Sequence, residues 1–226
     1  MNVDDIKDSA IPTDFSERDR LDWIFHRQHE LMQQYIPIER HNGLCWTSDC
    51  PVNLNDRFGQ ARLKDFFWRV TEELTEAVAA EVDHPDLVSH KLEELADALH
   101  FLVEATILAG ITPDDIFFKH VGHENTGNAD KLGYMVGLIG QIKGVSSVYY
   151  PYSVIHEIGC ASNCLKQRPW KTTHQLVDRE KFRHHFLSAF WNMIALFVTA
   201  GLNADEIYII YMKKAAVNQF RQRSNY

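Results

Sequence analysis

The sequence predicts an all-α fold, a bundle built from two fused and diverged helical repeats. Three observations carry that expectation. Apolar residues recur at helical spacing, as with Leu21, Ile24, Phe25, Leu31 and Met32. Helix start and stop signals bracket the periodic stretches, with Gly110 closing one and Thr112-Pro113-Asp114-Asp115 opening the next. And Ala109-Gly110-Ile111-Thr112-Pro113-Asp114-Asp115-Ile116-Phe117 reappears as Ala200-Gly201-Leu202-Asn203-Ala204-Asp205-Glu206-Ile207-Tyr208.

Composition narrows the class. With 226 residues, 45% of them apolar, the chain can bury one substantial core or two fused halves. A formal charge of −8 argues against general nucleic-acid binding, which needs a basic face. The longest apolar runs fall short of the roughly 20 residues a membrane span requires, and residues 1–19 lack an apolar signal core. The expectation is a soluble intracellular protein, cytoplasmic, without nucleic-acid or membrane partners. Cys45, Cys50, Cys160 and Cys164 are spaced too loosely for a zinc site and read as reduced thiols.

Residues 1–19 are expected as a flexible arm ahead of a single domain over 20–226. A helix is predicted over 20–35. Asn42-Gly43 and Pro51 mark a turn-rich connection that holds Trp46, read as a lid packed on the core. Helices follow over 61–80 and 89–109, and a further one over 130–143. Residues 144–152, rich in Val, Ser and Tyr, have no obvious partner strand and read as an extended linker. The first repeat spans about 61–143 and the second about 153–226.

Helices 61–80 and 89–109 organise the rest. The first carries Glu72-Glu73-Leu74-Thr75-Glu76 and the second Glu93-Glu94-Leu95-Ala96-Asp97-Ala98-Leu99-His100-Phe101. Residues three apart share a helix face, so Glu73 pairs with Glu76 and Glu94 with Asp97. A break around His84-Pro85 lets the second helix fold back antiparallel on the first. Acidic pairs at this spacing are by default solvated. Here, however, residues 92–108 are apolar nearly all the way round, which marks a buried helix whose acids need partners or metals. Four carboxylates facing one gap suit Mg²⁺, which takes oxygen ligands and shares them with phosphates.

In the register of the repeat, Glu94 lies opposite His185 and Asp97 opposite Ser188, while Glu73 corresponds to Glu157 and Glu76 to Cys160. Only the first half keeps its acids. The last helix offers Tyr211, Lys214, Asn218 and Arg221 on one face. Four Lys or Arg fall in the last fourteen residues of an acidic chain, a concentration suited to a polyphosphate.

Together, the acid motif with its following His-Phe resembles the all-α nucleoside triphosphate pyrophosphohydrolases, the superfamily of MazG-like enzymes and dimeric dUTPases. Tyr211-x-x-Lys214-x-x-x-Asn218-x-Phe220-Arg221-Gln222-x-x-x-Tyr226 resembles the C-terminal motif of the dimeric dUTPase and phage-type dCTP/dUTP pyrophosphatase branch. Glu157 to Trp170 is similar to a segment of related phage-encoded proteins, which would put the chain in a host cytoplasm. The resemblance covers about residues 28–226. It implies that Glu73, Glu76, Glu94 and Asp97 hold two or more Mg²⁺, with Mn²⁺ as substitute. It also implies that His100 and Phe101 lie near the nucleoside, that Lys214, Asn218, Arg221 and Tyr226 contact sugar and phosphates, and that the protein is a homodimer. Gln28 matches the first residue of the dUTPase Gln-x-x-Leu-Asn recognition motif, but Met32 replaces its Asn.

The expected activity is Mg²⁺-dependent hydrolysis of a deoxynucleoside triphosphate, dUTP ahead of dCTP, to monophosphate and pyrophosphate, with Glu73 positioning or deprotonating the water. A broader (d)NTP pyrophosphohydrolase and a silent nucleotide-binding protein are the alternatives. A di-iron bundle would need Glu-x-x-His on two helices, and the single Asp97-x-x-His100 has no second copy in the repeat, where its counterpart is Ser188-x-x-Trp191.

Overall fold

The computed structural model describes residues 3–42, 47–83, 88–119, 130–142, 149–166, 170, 172 and 177–224. Among them are eight α-helices and no strand: α1 (Arg20–Asn42), α2 (Arg57–Asp83), α3 (Val88–Leu108), α4 (Pro113–Phe117), α5 (Lys131–Gly140), α6 (Tyr149–Cys164), α7 (Arg179–Thr199) and α8 (Ala204–Arg223). The expected all-α fold is what forms.

Two hairpins make the body. α2 packs along α3, and α6 along α7. The register of the second shows its antiparallel sense: the Asp178 amide reaches the Cys164 carbonyl (3.4 Å) and His185 meets Glu157 (2.7 Å). Apolar faces of the four helices join in one core, where Phe67 packs on Phe186 and Phe25 of α1 on Phe190. α1 and α8 lie side by side against α3 and close the first hairpin on its inner face.

Local signals fix the ends. Thr112 and Asp115 form a capping box at the start of α4, and Asn203 and Glu206 form one at α8. Gly110 (φ 71°) and Gly201 (φ 92°) take the left-handed turn that ends α3 and α7. Each is flanked by the same hydrogen bond, from Ile111 to the Thr106 carbonyl (3.1 Å) and from Leu202 to the Phe197 carbonyl (3.0 Å).

Three expectations change. α1 does not stop at residue 35 but runs through Pro37 to Asn42. A proline removes one backbone donor and disfavours a helix interior, yet here its far side carries residues that line a cavity. Residues 149–152, read as extended, form the first turn of α6, where Pro151 is tolerated because first-turn amides lack intrahelical partners anyway. The supposed flexible arm is docked on α8. Ile6 and Ile11 are buried, Tyr208 Oη donates to the Pro12 carbonyl (2.9 Å), and Lys213 pairs with Asp8 (2.6 Å). Residues 144–148, Lys143, Cys45, Trp46 and the His84-Pro85 break lie outside the described residues.

Candidate active site

α2 and α3 bring their acids together. Glu73 and Glu76, three apart on α2, meet Glu94 of α3, and each offers a carboxylate oxygen within 4.8 Å of the others. Glu76 is exposed, while Glu73 and Glu94 are half-buried. Burial first, then the charges of Asp97, Glu76 and Glu94, push the Glu73 carboxyl up to about 7. This trio therefore sits under electrostatic load that a cation would relieve. The donors are all hard oxygens, which fits Mg²⁺ or Mn²⁺ better than a soft metal.

Asp97 takes a different partner. Its Oδ2 lies 2.6 Å from Lys214 Nζ, which also reaches Glu93 Oε1 at 2.7 Å. Burial raises the Asp97 carboxyl to about 6, against the lowering pull of Lys214. Lys214, almost wholly buried, has its ammonium form favoured by the two acids in spite of desolvation. The basic face of α8 is thus turned inward, onto α3.

One turn along α2 and α3 from the acids, a cavity of about 500 Å³ opens. Tyr35, Ile38, Glu39 and Asn42 of α1, Arg62, Asp65, Phe66 and Arg69 of α2, and Phe101 and Glu104 of α3 line it. The Phe101 ring lies 6.2 Å from that of Phe66, with the Arg69 guanidinium 5.8 Å from its centre. Arg62 is braced by Glu39 (2.7 Å) and the Thr47 carbonyl (2.8 Å), and Arg69 by Asp65 (3.1 Å).

Beneath the cavity lies a buried polar network centred on the Gln28 amide. It meets His100 Nδ1 at 2.9 Å, Tyr211 Oη at 2.8 Å and Glu104 Oε2 at 2.8 Å. Burial lowers His100 to about 3 and raises Glu104 to about 8, so both are neutral near pH 7. His100 Nε2 faces the Tyr211 carbonyl at 3.1 Å. Gln28 Nε2 donates to Glu104 Oε2, while Gln28 Oε1 accepts from Tyr211 Oη and faces His100 Nδ1. Tyr211 also stacks on His100, rings 3.9 Å apart.

A family model described as dUTPase matches residues 82–226, more than half the chain. The chain belongs to the dUTPase family. Membership supports a nucleotide pyrophosphatase in general. No curated protein and no solved structure matches the chain. In this dUTPase family member the matched segment holds Glu94, Asp97, His100, Lys214, Asn218 and Arg221. Glu73, Glu76 and Gln28 precede it, so their place in the site rests on geometry.

The sequence-expected residues therefore divide. Glu73, Glu76 and Glu94 converge, with Asp97 beside them but held by Lys214. Phe101 lines the cavity. His100 and Gln28 do not line it; they are buried behind it as the support of Glu104. Asn218 lies one turn past Lys214 on α8, half-buried, and Arg221 acts electrostatically on Tyr35 at the cavity wall. Tyr226 lies outside the described residues. Met32, which replaces the motif's Asn, is 3% exposed and lines a separate small cavity.

Sequence reading missed Glu93, Glu104, Tyr35, Arg62 and Arg69. Glu104 had a signal: it is the lone acid in the apolar run Leu102 to Leu108, seven residues beyond Asp97 and so on the same face. Arg69 likewise lies one turn before Glu73. Among the described residues no single helix is long and apolar enough to cross a membrane.

Proposed function

We propose that the protein hydrolyses a deoxynucleoside triphosphate, dUTP ahead of dCTP, to the monophosphate and pyrophosphate with Mg²⁺. The observation that carries this reading is the convergence of Glu73, Glu76 and Glu94 beside a nucleoside-sized cavity walled by Phe101. Glu73, Glu76, Glu94 and Asp97 would hold the metal, which supplies charge neutralisation and Lewis-acid polarisation of the phosphates. Glu73, poised near neutrality, orients the attacking water and takes its proton. As the water oxygen bonds to phosphorus, the bridging oxygen departs with pyrophosphate. Lys214 stands one side chain away to stabilise negative charge. Phe101 offers the base a face to pack on.

Homodimerisation belongs to the same reading. Val82 and Tyr152, 73% and 67% exposed, flank a second cavity of about 160 Å³ lined by Leu74, Ala77 and Leu196, an apolar surface that supports a partner. Sedimentation giving a dimer mass supports it; a monomer at micromolar concentration contradicts it. Descent from two fused repeats is supported by the matched ends at Gly110 and Gly201. It is supported too by Glu157 and His185, which meet where the register places the counterparts of Glu73 and Glu94.

The test is a panel of NTPs and dNTPs with Mg²⁺, scored for monophosphate and pyrophosphate. Turnover of dUTP and dCTP above purines supports the proposal. Nucleotide binding without turnover overturns it in favour of a silent binding protein.

A further inference from the structure

The geometry points to a second metal site in the other half of the molecule: His156, Cys160 and His185, with Glu157 bracing His185, hold one Zn²⁺. The site shares no residue with the acid trio and is independent of the hydrolytic reading.

The hairpin of α6 and α7 carries a metal-binding side chain at each position equivalent to the trio. Glu157, Cys160 and His185 stand in the register of Glu73, Glu76 and Glu94. The contact between Glu157 and His185 (2.7 Å) agrees with that register. What differs is the kind of donor, since three carboxylates have become a carboxylate, a thiol and an imidazole. The counterpart of Asp97 is Ser188, whose hydroxyl accepts from Lys119, so no further acid remains on α7 at this point. Carboxylates suit Mg²⁺, whereas sulfur and imidazole together select Zn²⁺ and its relatives.

His156 adds a further donor. At 3.6 residues per turn, His156, Cys160 and Glu157 share an arc of about 100° on α6, with Cys160 between the other two. Cys160 Sγ lies 3.6 Å from His156 Nε2. Ligands at the usual Zn–N and Zn–S lengths of about 2.1 and 2.3 Å, set at the tetrahedral angle, stand about 3.6 Å apart. This pair is already at chelating distance. His185 gives Nδ1 to Glu157, and a histidine braced on a carboxylate in this way presents its other ring nitrogen to a metal. Cys160 and His185 are half-buried and His156 is exposed, so ions reach the site from solvent. The ligands lie across a hairpin rather than in paired cysteines, which is why cysteine spacing does not reveal them.

The test is titration of Co²⁺ into the full-length protein under reducing conditions, followed by competition with Zn²⁺. The acid trio offers no sulfur, so a thiolate-to-cobalt charge-transfer band in the near ultraviolet separates the two sites. The expected result is stoichiometric Co²⁺ binding that gives this band and is bleached by Zn²⁺. Cys160→Ser removes the band and Cys50→Ser keeps it. His156→Gln and His185→Gln each weaken Co²⁺ binding by about 10- to 100-fold. Should His185→Gln fail to fold, Glu157→Gln removes only the brace and weakens binding by about tenfold. Absence of a thiolate band at saturating Co²⁺, or a band that survives Cys160→Ser, overturns the inference. So does wild-type affinity in the His185 or Glu157 variant, which would leave only a chelate local to α6.

Discussion

Lys214 Nζ lies 2.6 Å from Asp97 Oδ2, joining the C-terminal helix to the acidic helix through a lysine side chain that is almost wholly buried. This contact makes α8 part of the site rather than a cover over it. Removing one partner of a buried pair costs more than the pair contributes, because the other charge is left stranded. Lys214→Met is expected to destabilise the fold by about 2–3 kcal/mol, under the 3–5 typical of fully buried pairs since Asp97 and Glu93 keep some water. Urea unfolding measures it, and a loss under about 0.5 kcal/mol, the range of a surface pair, contradicts it.

Glu73→Gln separates catalysis from folding. It removes the proposed proton acceptor, so turnover of dUTP drops by about 10²–10⁴-fold. It also removes a like charge from the trio, so the metal-free protein gains stability at pH 8 and changes little at pH 5. Unimpaired turnover removes Glu73 from the mechanism.

Metal binding is expected to depend on pH. Glu73 and Asp97 titrate at about 7 and about 6, so protons compete with a cation at pH 6 and much less at pH 8. Saturating Mg²⁺ therefore raises the unfolding midpoint more at pH 8 than at pH 6. Equal shifts at the two pH values speak against these carboxylates as ligands.

Metal-free stability also has a sign. Glu73 and Glu104 have folded pKa values raised from 4.5 to about 7 and about 8, so their contribution is full below 4.5 and is lost as pH rises through those values. His100, lowered from 6.5 to about 3, contributes fully above 6.5 and is lost as pH falls toward 3. Between 4.5 and 6.5 the two effects oppose. Between 6.5 and 8 the acids act alone: stability falls, and Glu104→Gln flattens part of that fall in urea titrations.

The Gln28 amide serves His100, Tyr211 and Glu104 at once. Gln28→Leu keeps the volume but leaves three buried groups short of a partner, and is expected to cost about 2–4 kcal/mol. A cost under 1 kcal/mol shows that the network is not held from α1.

The helices and the acid trio were legible because both are local facts. Capping at Thr112 and Asn203, the glycine stops, and the three-residue spacing of Glu73 and Glu76 are written within one or two turns. What was not legible depends on residues far apart in the chain. His100 looks like a ligand-facing side chain until Tyr211, from the last helix, is stacked on it. The arm seems loose because Ile6 and Ile11 stand alone among polar neighbours, and only α8 gives them a surface to bury against. Glu104 reads as one acid on an apolar helix until Gln28, from α1, donates to its carboxyl.

The central claim is that Glu73, Glu76 and Glu94 together seat a divalent cation that the nucleotide shares. Electron paramagnetic resonance of Mn²⁺ titrated into the protein with α,β-imido-dUTP tests it most directly. The expected result is tight, nucleotide-dependent Mn²⁺ binding that disappears when all three acids are changed to Gln in a protein that still folds. Binding of equal affinity and stoichiometry in that variant would show that the cation sits elsewhere.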